Sequence, residues 1–408
     1  MQQNKRKIIN DPVLGFINIP SEFLYDLIQH PYMQRLNRIK QLGLASFVYP
    51  GTQHTRFLHS IGAMHLMTDA IAQLKAKGND ITDDEASGLL AAILLHDIGH
   101  TPFSHTLENV LIKNFNHEQI TLLLIERINK EFGGTLHTAI SIFKNEYPKR
   151  YLHQLVSGQV DMDRLDYLIR DSFFSGVAEG TIGAERIIKM LTVKDDSIAI
   201  EAKGIYSIEN FLIARRLMYW QVYLHKTAVA AEKMLVNILT RAKELSAQGT
   251  TLFASPALSF FITKNISDQN FPENEEAIQN FIQLDDSDIT SAIKVWMAHT
   301  DKVLSTLSNH FINRKLFKVK ISDTAFNPSE IEDLNKKYQQ YFSISKAEAT
   351  YFYAEGPIQS DTYNPNADNI KILYNDGQVK EISDASDMLN TNMLSSRTTK
   401  YYLCYLQL

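Results

Sequence analysis

The sequence predicts a mainly α-helical protein with a short β-hairpin near its N-terminus and a small α+β module at its C-terminal end. Apolar residues recur at three- and four-residue spacing up to about residue 310, the pattern of helices that bury one face. Residues 7–19 instead contain two short runs around a Pro/Gly turn, which predicts two strands. Beyond about 310 the runs become short and alternating. We therefore expect a helical domain at 1–309 and an α+β module at 310–408.

Within the helical region, clear periodicity marks the segments 61–77, 85–98, 118–131, 161–170 and 207–246. The last segment is long enough to be interrupted. Asp83, Asp84 and Glu85 stand where the dipole of a helix N-terminus favours acidic residues. Gly99 and Pro102 predict that this helix stops just after a His-Asp pair.

The C-terminal region combines one helical pattern with several strands. Residues 328–342 are helical in pattern, and strands are predicted at 316–321, 350–354, 370–374 and 401–406. Asn375-Asp376-Gly377 is a favourable hairpin turn. The Pro/Asn-rich stretch at 357–369 is expected to be an exposed loop.

The length and composition of the chain limit the classes of protein to which it can belong. A chain of 408 residues favours two domains, or one large domain with an appendage. Hydrophobic residues make up 44% and charged residues 21%, as in soluble globular proteins. The net charge of −5 provides no overall positive field that would attract nucleic acid. It does not exclude a basic cleft at one place on the surface.

The single cysteine and the N-terminus predict a cytoplasmic setting. Cys404 has no partner for an intrachain disulfide, and a cysteine-rich zinc site is excluded. The first residues are polar and lack an apolar signal core. The longest apolar stretch, near 89–95, is too short to span a membrane, so no membrane partner is expected.

Four residues from separate segments form a candidate metal site: His59, His96, Asp97 and Asp163. A His-Asp dipeptide alone is weak, because it arises often by chance and its side chains diverge by about 100° on a helix. Ligands from other helices must close such a site. Two imidazoles and two carboxylates suit a borderline or hard divalent cation and leave positions open for water and a phosphate oxygen.

The longer motifs resemble the HD-domain deoxynucleoside triphosphate triphosphohydrolases, which include bacterial dGTPase-like enzymes and the eukaryotic sterile-alpha-motif/HD protein. The resemblance covers roughly 7–230 and is most specific at 35–36, 39–43, 49–51, 56–60, 96–105, 161–171 and 223–226. It implies an HD-domain helical core, hydrolysis of a dNTP to a deoxynucleoside and inorganic triphosphate, and a homo-oligomer, either dimer or tetramer. The metal would be Mn²⁺, Mg²⁺, Fe²⁺ or Zn²⁺.

The resemblance also implies catalytic roles for histidines and carboxylates that follow the His-Asp pair. The candidates are His100, His105, Glu108, His117 and Glu118. A carboxylate beside a histidine fixes its tautomer, which suits proton transfer. The plainer interpretation of His117 and Glu118 is a capping or surface pair.

Substrate-binding candidates divide into cations and nucleoside readers. A triphosphate needs cations besides the metal, and the candidates are Arg56, Arg164, Arg215 and Lys226. Gln41, Leu42, Tyr167, Asp171 and Tyr223 complete the substrate-binding set. The family places a tyrosine matching Tyr167 beneath the deoxyribose. Residues matching Asp171 and Gln41 read the 3′-hydroxyl.

Lys7 and Asn10 match a nucleotide-activator segment of the eukaryotic relative. The positions that read guanine in that relative correspond to Gln29 and Asn37 in this sequence. An activator with a base other than guanine and the absence of any activator are therefore equal alternatives. Two other functions also stay open. One is a nucleotidase or phosphodiesterase on another phosphate ester, and the other is a non-catalytic binder of nucleotides or single-stranded nucleic acid.

Overall fold

The structure, a computed structural model, describes residues 7–359, 363, 369–387 and 399–408. Its α-helices are α1 (Glu22–Gln29), α2 (Pro31–Arg35), α3 (Arg56–Ala76), α4 (Asp83–Leu95), α5 (Glu108–Leu111), α6 (His117–Glu131), α7 (His137–Phe143), α8 (Arg150–Val156), α9 (Met162–Ser175), α10 (Ala184–Met190), α11 (Ile205–Met218), α12 (Lys226–Ala247), α13 (Pro256–Thr263), α14 (Glu275–Gln283), α15 (Asp286–Trp296), α16 (Lys302–Ile312), α17 (Pro328–Phe342), α18 (Lys346–Ala349) and α19 (Ile382–Ala385). The strands are β1 (Ile8–Asp11), β2 (Gly15–Asn18), β3 (Leu191–Lys194), β4 (Ser197–Glu201), β5 (Lys318–Ser322), β6 (Tyr353–Gln359), β7 (Lys371–Leu373), β8 (Val379–Glu381) and β9 (Thr399–Tyr405). The mainly helical fold class is confirmed.

The predicted N-terminal hairpin is confirmed as β1 and β2, which pair antiparallel from Ile8↔Asn18 to Asp11↔Gly15. Asp11 shapes the turn, because its Oδ1 accepts the backbone N–H groups of Val13 and Leu14 at 2.8 Å each. The hairpin therefore has a side-chain-stabilised turn.

The helical core is built around α3, α4 and α9. The residues from Leu89 to Leu95 in α4 are all buried, so the C-terminal half of this helix is enclosed on every side. Its start is a capping box in which Thr82 accepts from the Glu85 N–H and Glu85 accepts from the Thr82 N–H. The acidic helix start predicted from the sequence is therefore confirmed.

The predicted end of α4 was wrong, because the helix stops at Leu95 and the His-Asp pair lies on the turn that follows. The hydroxyl of Thr121 in α6 donates to the His96 carbonyl at 3.0 Å and accepts from the Gly99 N–H at 3.0 Å. A Cβ at Gly99 would overlap the backbone of α6. This close packing of α6, which the sequence pattern does not reveal, ends the helix early.

The long segment from 207 to 246 is interrupted, as its length allowed. α11 runs into a π-helical turn at Tyr219–Tyr223, and α12 starts at Lys226. His225 caps the start of α12, since its Nδ1 accepts from the Thr227 N–H at 3.1 Å. The π turn places two tyrosines beside the cleft described below.

The mainly helical region up to 310 also contains β3 and β4, which were not predicted and form an antiparallel hairpin. Asp195 and Asp196, both with positive φ, form its tight turn. β4 also pairs in parallel with β7, from Ala199↔Lys371 to Glu201↔Leu373, so a C-terminal strand completes a sheet begun in the helical region. The division of the chain at 310 stays a prediction.

A second C-terminal sheet has the order β5-β9-β6 and is antiparallel. The segment expected as a strand at 350–354 begins with a tight turn at Thr350–Phe352, and β6 starts at Tyr353. Pro357 belongs to β6 rather than to the expected loop, and β6 lies at a sheet edge, where proline is tolerated. The remaining loop positions 360–362 and 364–368 lie outside the described residues.

β7 and β8 form the predicted hairpin around Gly377, which has a φ of +86°. Across the described ranges, no helix combines the length and apolar character needed to cross a lipid bilayer.

Candidate active site

A cleft of about 710 Å³ is lined by α3, α9, α12 and the turn after α4. The predicted site residues in its lining are Gln41, Leu42, Arg56, His59, His96, Asp97, His100, His105, His117, Glu118, Asp163, Tyr167, Asp171 and Tyr223. Glu108 lies behind this lining, in contact with His105 and His117. The fold thus gathers residues that are far apart in the sequence.

Three of the four metal-ligand candidates, His59, His96 and Asp163, place ligand atoms within 4.8 Å of one another. Nε2 of His59 lies 3.0 Å from Oδ1 of Asp163 and 3.3 Å from Nε2 of His96. Nε2 of His96 lies 3.5 Å from the same Asp163 oxygen and 3.4 Å from Oδ1 of Asp97. The second oxygen of Asp97 is 3.8 Å from Nε2 of His59. Asp97 therefore lies beside the group that the other three side chains form.

The donor set fits a divalent metal ion. Nδ1 of His59 is 2.8 Å from Oδ2 of Asp166, and Nδ1 of His96 is 2.6 Å from the Ile93 carbonyl oxygen. When each Nδ1 donates its proton to these acceptors, both Nε2 lone pairs point toward the centre. Lone pairs and carboxylates that face one another repel unless a cation lies between them. Two imidazoles with carboxylates are suitable ligands for such a cation.

The ionisation of the group reflects its mutual contacts. Burial alone would lower the pKa of His59, but its hydrogen bonds with Asp163 and Asp166 outweigh burial and raise the pKa to about 10. Burial would raise the pKa of Asp163, but its hydrogen bonds with His59 and His96 hold that pKa well below the ordinary value. A positive charge at the centre therefore stabilises the carboxylates, and a metal ion can supply the charge that protons supply otherwise.

Arg56 at the first turn of α3 supports this site. Its Nη1 donates to Oδ2 of Asp97 at 2.6 Å, and its Nε donates to Oγ of Ser104 at 3.1 Å. Burial opposes the ionisation of Asp97, but the charge of Arg56 holds the pKa of that carboxyl well below its ordinary value. Arg56 is itself buried, so the ion pair orients Asp97 firmly.

A second group of side chains lies beside the metal ligands. Nδ1 of His105 hydrogen-bonds Oε1 of Glu108 at 2.9 Å, and Nδ1 of His117 is 2.9 Å from the same oxygen. The ring of His100 stacks on that of His117 at 4.0 Å between centroids, and its Nε2 is 3.1 Å from Oδ1 of Asp97. His100 therefore connects this second group to the metal ligands.

The charges of the second group differ. Burial and the nearby charge of Arg56 lower the pKa of His100 well below its ordinary value, so His100 is neutral near pH 7. Burial would raise the pKa of Glu108, but its contacts with His105 and His117 hold that pKa well below its ordinary value. An ionised Glu108 can orient one imidazole for proton transfer.

The backbone before His105 is in a rarely populated conformation. Phe103 and Ser104 both have positive φ, at 54° and 56°. Oδ1 of Asp286 in α15 fixes this turn by accepting the Phe103 N–H at 2.8 Å. The turn leaves the side chain of His105 67% exposed toward solvent, and Glu118 is exposed at the rim of the cleft.

A polar and aromatic wall faces the metal group from α9. Tyr167 and Asp171 lie one turn apart on this helix, as their spacing predicted. The Tyr223 hydroxyl donates to Oδ2 of Asp171 at 2.9 Å, and the rings of Tyr167 and Tyr223 meet edge to face at 6.1 Å. Oε1 of Gln41 is buried without a hydrogen-bond partner among the described residues. A buried acceptor of this kind needs a partner other than the protein, such as water or a ligand.

Comparisons with known proteins agree with this geometry. Family models for the HD domain and for the HD associated region match residues 56–171 and 182–254. The crystal structure of a phosphohydrolase from Bacteroides thetaiotaomicron is 60% identical, with a TM-score of 0.96 over 99% of this chain and 100% of that one. The uncharacterized protein YwfO of Bacillus subtilis is 30% identical over 98% of this chain and 92% of its own length.

A relative from Dictyostelium discoideum, named as a deoxynucleoside triphosphate triphosphohydrolase SAMHD1 homolog, is 32% identical over 58% of this chain and 50% of its own length. This chain belongs to the HD-domain phosphohydrolases. As a member of this family it is a hydrolase, and its His/Asp cluster is a candidate site for the divalent metal that HD domains bind.

Three cations expected from the family resemblance do not line the cleft. Arg164 pairs with Oδ2 of Asp161 at 2.5 Å, and Arg215 donates to Oε1 of Gln159 at 3.1 Å. Lys226 is exposed at the start of α12. The expectation that Arg215 and Lys226 share one helix was wrong, because the π turn separates Arg215 on α11 from Lys226 at the start of α12.

The candidate activator residues of the family lie away from the cleft on the N-terminal hairpin. Asn10 is exposed on β1, and Nζ of Lys7 lies 4.2 Å from the ring centroid of Tyr25. Neither residue contacts the lining described above.

Several residues at the site were missed from the sequence. His54 and Asp166 make buried contacts with the predicted residues Asp171 and His59, and Arg170 pairs with Asp166. Glu232 and Lys233 line the cleft from α12. The repeated Asp spacing at 163 and 166 on one helix face was an available signal. Burial in the cleft raises the pKa of Glu232 to about 7. No sequence pattern predicted that Glu232 belongs to the site.

Proposed function

We propose that this protein is a metal-dependent hydrolase that cleaves a deoxynucleoside triphosphate into a deoxynucleoside and inorganic triphosphate. The observation that carries the proposal is a single cleft where the His59–Asp163 ligand group adjoins both the His105–Glu108 pair and the Tyr167 wall. A general phosphatase needs only the first two of these parts. The names of relatives from Dictyostelium discoideum and Gallus gallus support the same substrate class.

The chain provides ligands for a divalent metal at His59, His96, Asp97 and Asp163. When bound, the metal supplies Lewis acidity to the α-phosphate and to a water molecule. Arg56 holds Asp97 in place and brings positive charge close to the phosphates. The candidates for the native ion remain Mn²⁺, Mg²⁺, Fe²⁺ and Zn²⁺.

His105 is proposed as the proton donor to the leaving group. Water attacks the α-phosphorus, the bond from phosphorus to the 5′-oxygen breaks, and that oxygen leaves with the electron pair. His105 then protonates the 5′-oxygen through Nε2, because its Nδ1 is held by Glu108. The proton that the attacking water loses passes to solvent, and His105 is reprotonated for the next turnover.

The nucleoside is assigned to the wall on α9. In this proposal Tyr167 closes the space at C2′, which disfavours ribose. The unpaired Oε1 of Gln41 accepts the 3′-hydroxyl, with Asp171 beside it. Leu42 and Tyr223 flank the base, and the base preference stays open.

The triphosphate is assigned to the side of the cleft with Arg56, His100 and His105. Arg164 and Arg215 act from behind the lining, where each has a buried Nε without a hydrogen-bond partner among the described residues. Arg215 donates to an amide rather than a carboxylate, so its charge favours a polyanion nearby, whereas the charge of Arg164 is already paired with Asp161. Lys226 has no role in this cleft in our proposal.

Product analysis tests the function. The protein is incubated with each dNTP singly and in mixtures, with Mg²⁺, Mn²⁺ or Fe²⁺, and every product is identified. We expect a deoxynucleoside and intact triphosphate, with ¹⁸O from labelled water in the triphosphate and not at the nucleoside 5′-oxygen. A deoxynucleoside diphosphate with orthophosphate would contradict the proposal and favour a general nucleotidase.

Two further predictions concern a nucleotide activator and assembly of the chain. Mixtures would reveal a nucleotide activator bound near Lys7 and Asn10, because activity with two dNTPs would exceed the sum of the single activities. Assembly into a homo-oligomer is tested by sedimentation with and without nucleotides.

A further inference from the structure

A continuous chain of buried charged side chains runs from the N-terminal hairpin to the metal-ligand group. Nδ1 of His59 contacts Oδ2 of Asp166 at 2.8 Å. Asp166 receives two hydrogen bonds from Arg170, from Nε and Nη2, both at 2.8 Å. Nη1 of Arg170 donates to Oδ2 of Asp11 at 2.7 Å. Each link is within hydrogen-bonding distance, and we call these four residues the hairpin relay.

The hairpin relay is almost completely shielded from water. His59, Asp166, Arg170 and Asp11 are each at most 2% exposed. Asp166, Arg170 and Asp11 are acidic or basic side chains, and burying such charges is costly unless every one is paired. Removing one member therefore leaves its neighbours with an uncompensated charge.

Gly62 preserves the space that the relay occupies. It lies one turn after His59 on α3, and a Cβ there would overlap both the Asp166 carboxylate and the Arg170 guanidinium. A glycine in the middle of a long helix costs stability, by roughly 1 kcal/mol relative to alanine. The close approach of α9 to α3 at this point explains why a side chain is absent.

Asp11 has two functions at the far end of the relay. Its Oδ1 accepts the Val13 and Leu14 N–H groups that form the hairpin turn, while its Oδ2 pairs with Arg170. The conformation of the turn and the position of Arg170 therefore depend on the same carboxylate. At the near end, Asp166 fixes the tautomer and ring orientation of His59.

We propose that Asp166, Arg170 and Asp11 are positioning residues that link docking of the N-terminal hairpin to metal affinity at His59. The proposal rests on the metal site of the proposed function, but not on its substrate. Thermodynamic linkage makes the effect reciprocal: metal binding at His59 stabilises the docked hairpin, and a loosened hairpin weakens the metal.

The test measures Mn²⁺ affinity of the metal-stripped full-length chain by calorimetry, without nucleotide. Asp166→Asn should weaken Mn²⁺ binding by about tenfold to a hundredfold, as is typical for partners of a ligating histidine. Asp11→Asn, which is two contacts farther away, should weaken it by about fivefold. Asp26→Asn, an exposed acid on α1, is the matched control and should leave the affinity unchanged.

A second measurement uses the unmodified chain, so the test does not depend on the folding of a variant. Backbone amide exchange of the hairpin should slow when Mn²⁺ is added, while exchange in the distant β8 should not change. Arg170→Lys, which keeps the charge but loses the paired hydrogen bonds, should recover only part of the affinity lost in Arg170→Gln.

The outcomes separate the two proposals. The linkage would be overturned if Asp11→Asn binds Mn²⁺ with unchanged affinity and amide exchange in the hairpin is the same with and without Mn²⁺. The ion pairs would then have a purely structural role. If the hairpin and the Mn²⁺ affinity are coupled but no dNTP is cleaved, the proposed substrate is contradicted and the linkage is supported. Failure of the unmodified chain to bind Mn²⁺ or any other divalent metal would overturn both.

Discussion

Nε2 of His54 lies 2.8 Å from Oδ1 of Asp171, and both side chains are buried in the wall of the cleft. The second oxygen of Asp171 accepts the Tyr223 hydroxyl at 2.9 Å. The ring of His54 also stacks on Phe174 at 4.4 Å between centroids. Asp171 is therefore held from both sides, and a sugar hydroxyl must use a remaining lone pair of a carboxylate whose position is already fixed.

We predict that Asp163→Ala abolishes bound metal and turnover while the helical fold persists. Asp163 is partly exposed in the cleft and contacts both His59 and His96, so its loss removes one ligand of four and little packing. Elemental analysis measures the bound metal, kcat measures turnover, and circular dichroism measures helical content. His65→Ala on the same α3 is the control. Full activity in a variant that lacks metal would contradict the metal-dependent function.

We predict that Tyr167→Ala allows ribonucleoside triphosphates to become substrates. The ring lies in the cleft edge to face with Tyr223, and its removal opens space at the proposed C2′ position. The ratio of kcat/KM for a dNTP to that for the matching ribonucleotide should fall by about tenfold or more, the scale of a lost steric contact. Tyr167→Phe keeps the ring and should preserve the ratio. Equal rates for both nucleotides in the unchanged chain would rule out the sugar assignment.

We predict that Glu108→Gln lowers kcat by about a hundredfold, within the usual range for general acid–base catalysis, and leaves metal content intact. An amide carries no negative charge to stabilise a protonated His105, which Glu108 contacts at 2.9 Å. Activity as a function of pH and metal analysis provide the measurements. The exposed Glu126→Gln on α6 is the control. A matching loss of metal would show instead that Glu108 supports the metal site.

We predict that Glu85→Gln destabilises the fold by about 1–3 kcal/mol near pH 7, since Glu85 is buried and accepts charged and neutral hydrogen bonds. Burial would raise the pKa of this carboxyl, but the Lys149 ammonium and the Thr82 N–H lower it below 4.5. A lowered pKa contributes stability above the unfolded value, and that stability is lost as the pH falls through the folded pKa. Chemical denaturation at pH 7 and below pH 4.5 measures the free energy of unfolding of the unchanged chain and of Glu85→Gln. The difference between the two should be smaller in acid. A constant difference would exclude an ionised Glu85 as its cause.

Some parts of the site could be predicted from the sequence because their signals are local. The His-Asp pair, the turn-spaced Tyr167 and Asp171, and the arginine before His59 each follow from short motifs. The amphipathic pattern likewise located the long helices, because burial of one face imposes a regular spacing.

Other parts depend on contacts between distant segments, which a single sequence does not encode in any period. The early end of α4 depends on Thr121 of α6, and the direction of Arg215 depends on Gln159. Nothing near Asp11 in the sequence indicates its ion pair with Arg170. Short strands such as β3 are weak signals beside long helices, which is why that hairpin was missed.

The parallel pairing of β4 with β7 has a consequence for synthesis of the chain. Ribosomes produce β4 long before Lys371–Leu373, so the edge of β4 stays unpaired while most of the helical region has already emerged. Unpaired strand edges attract other chains, and pairings between distant segments form slowly. We expect chains arrested before β7 to associate through this edge, and a nascent-chain chaperone to be most needed in that interval.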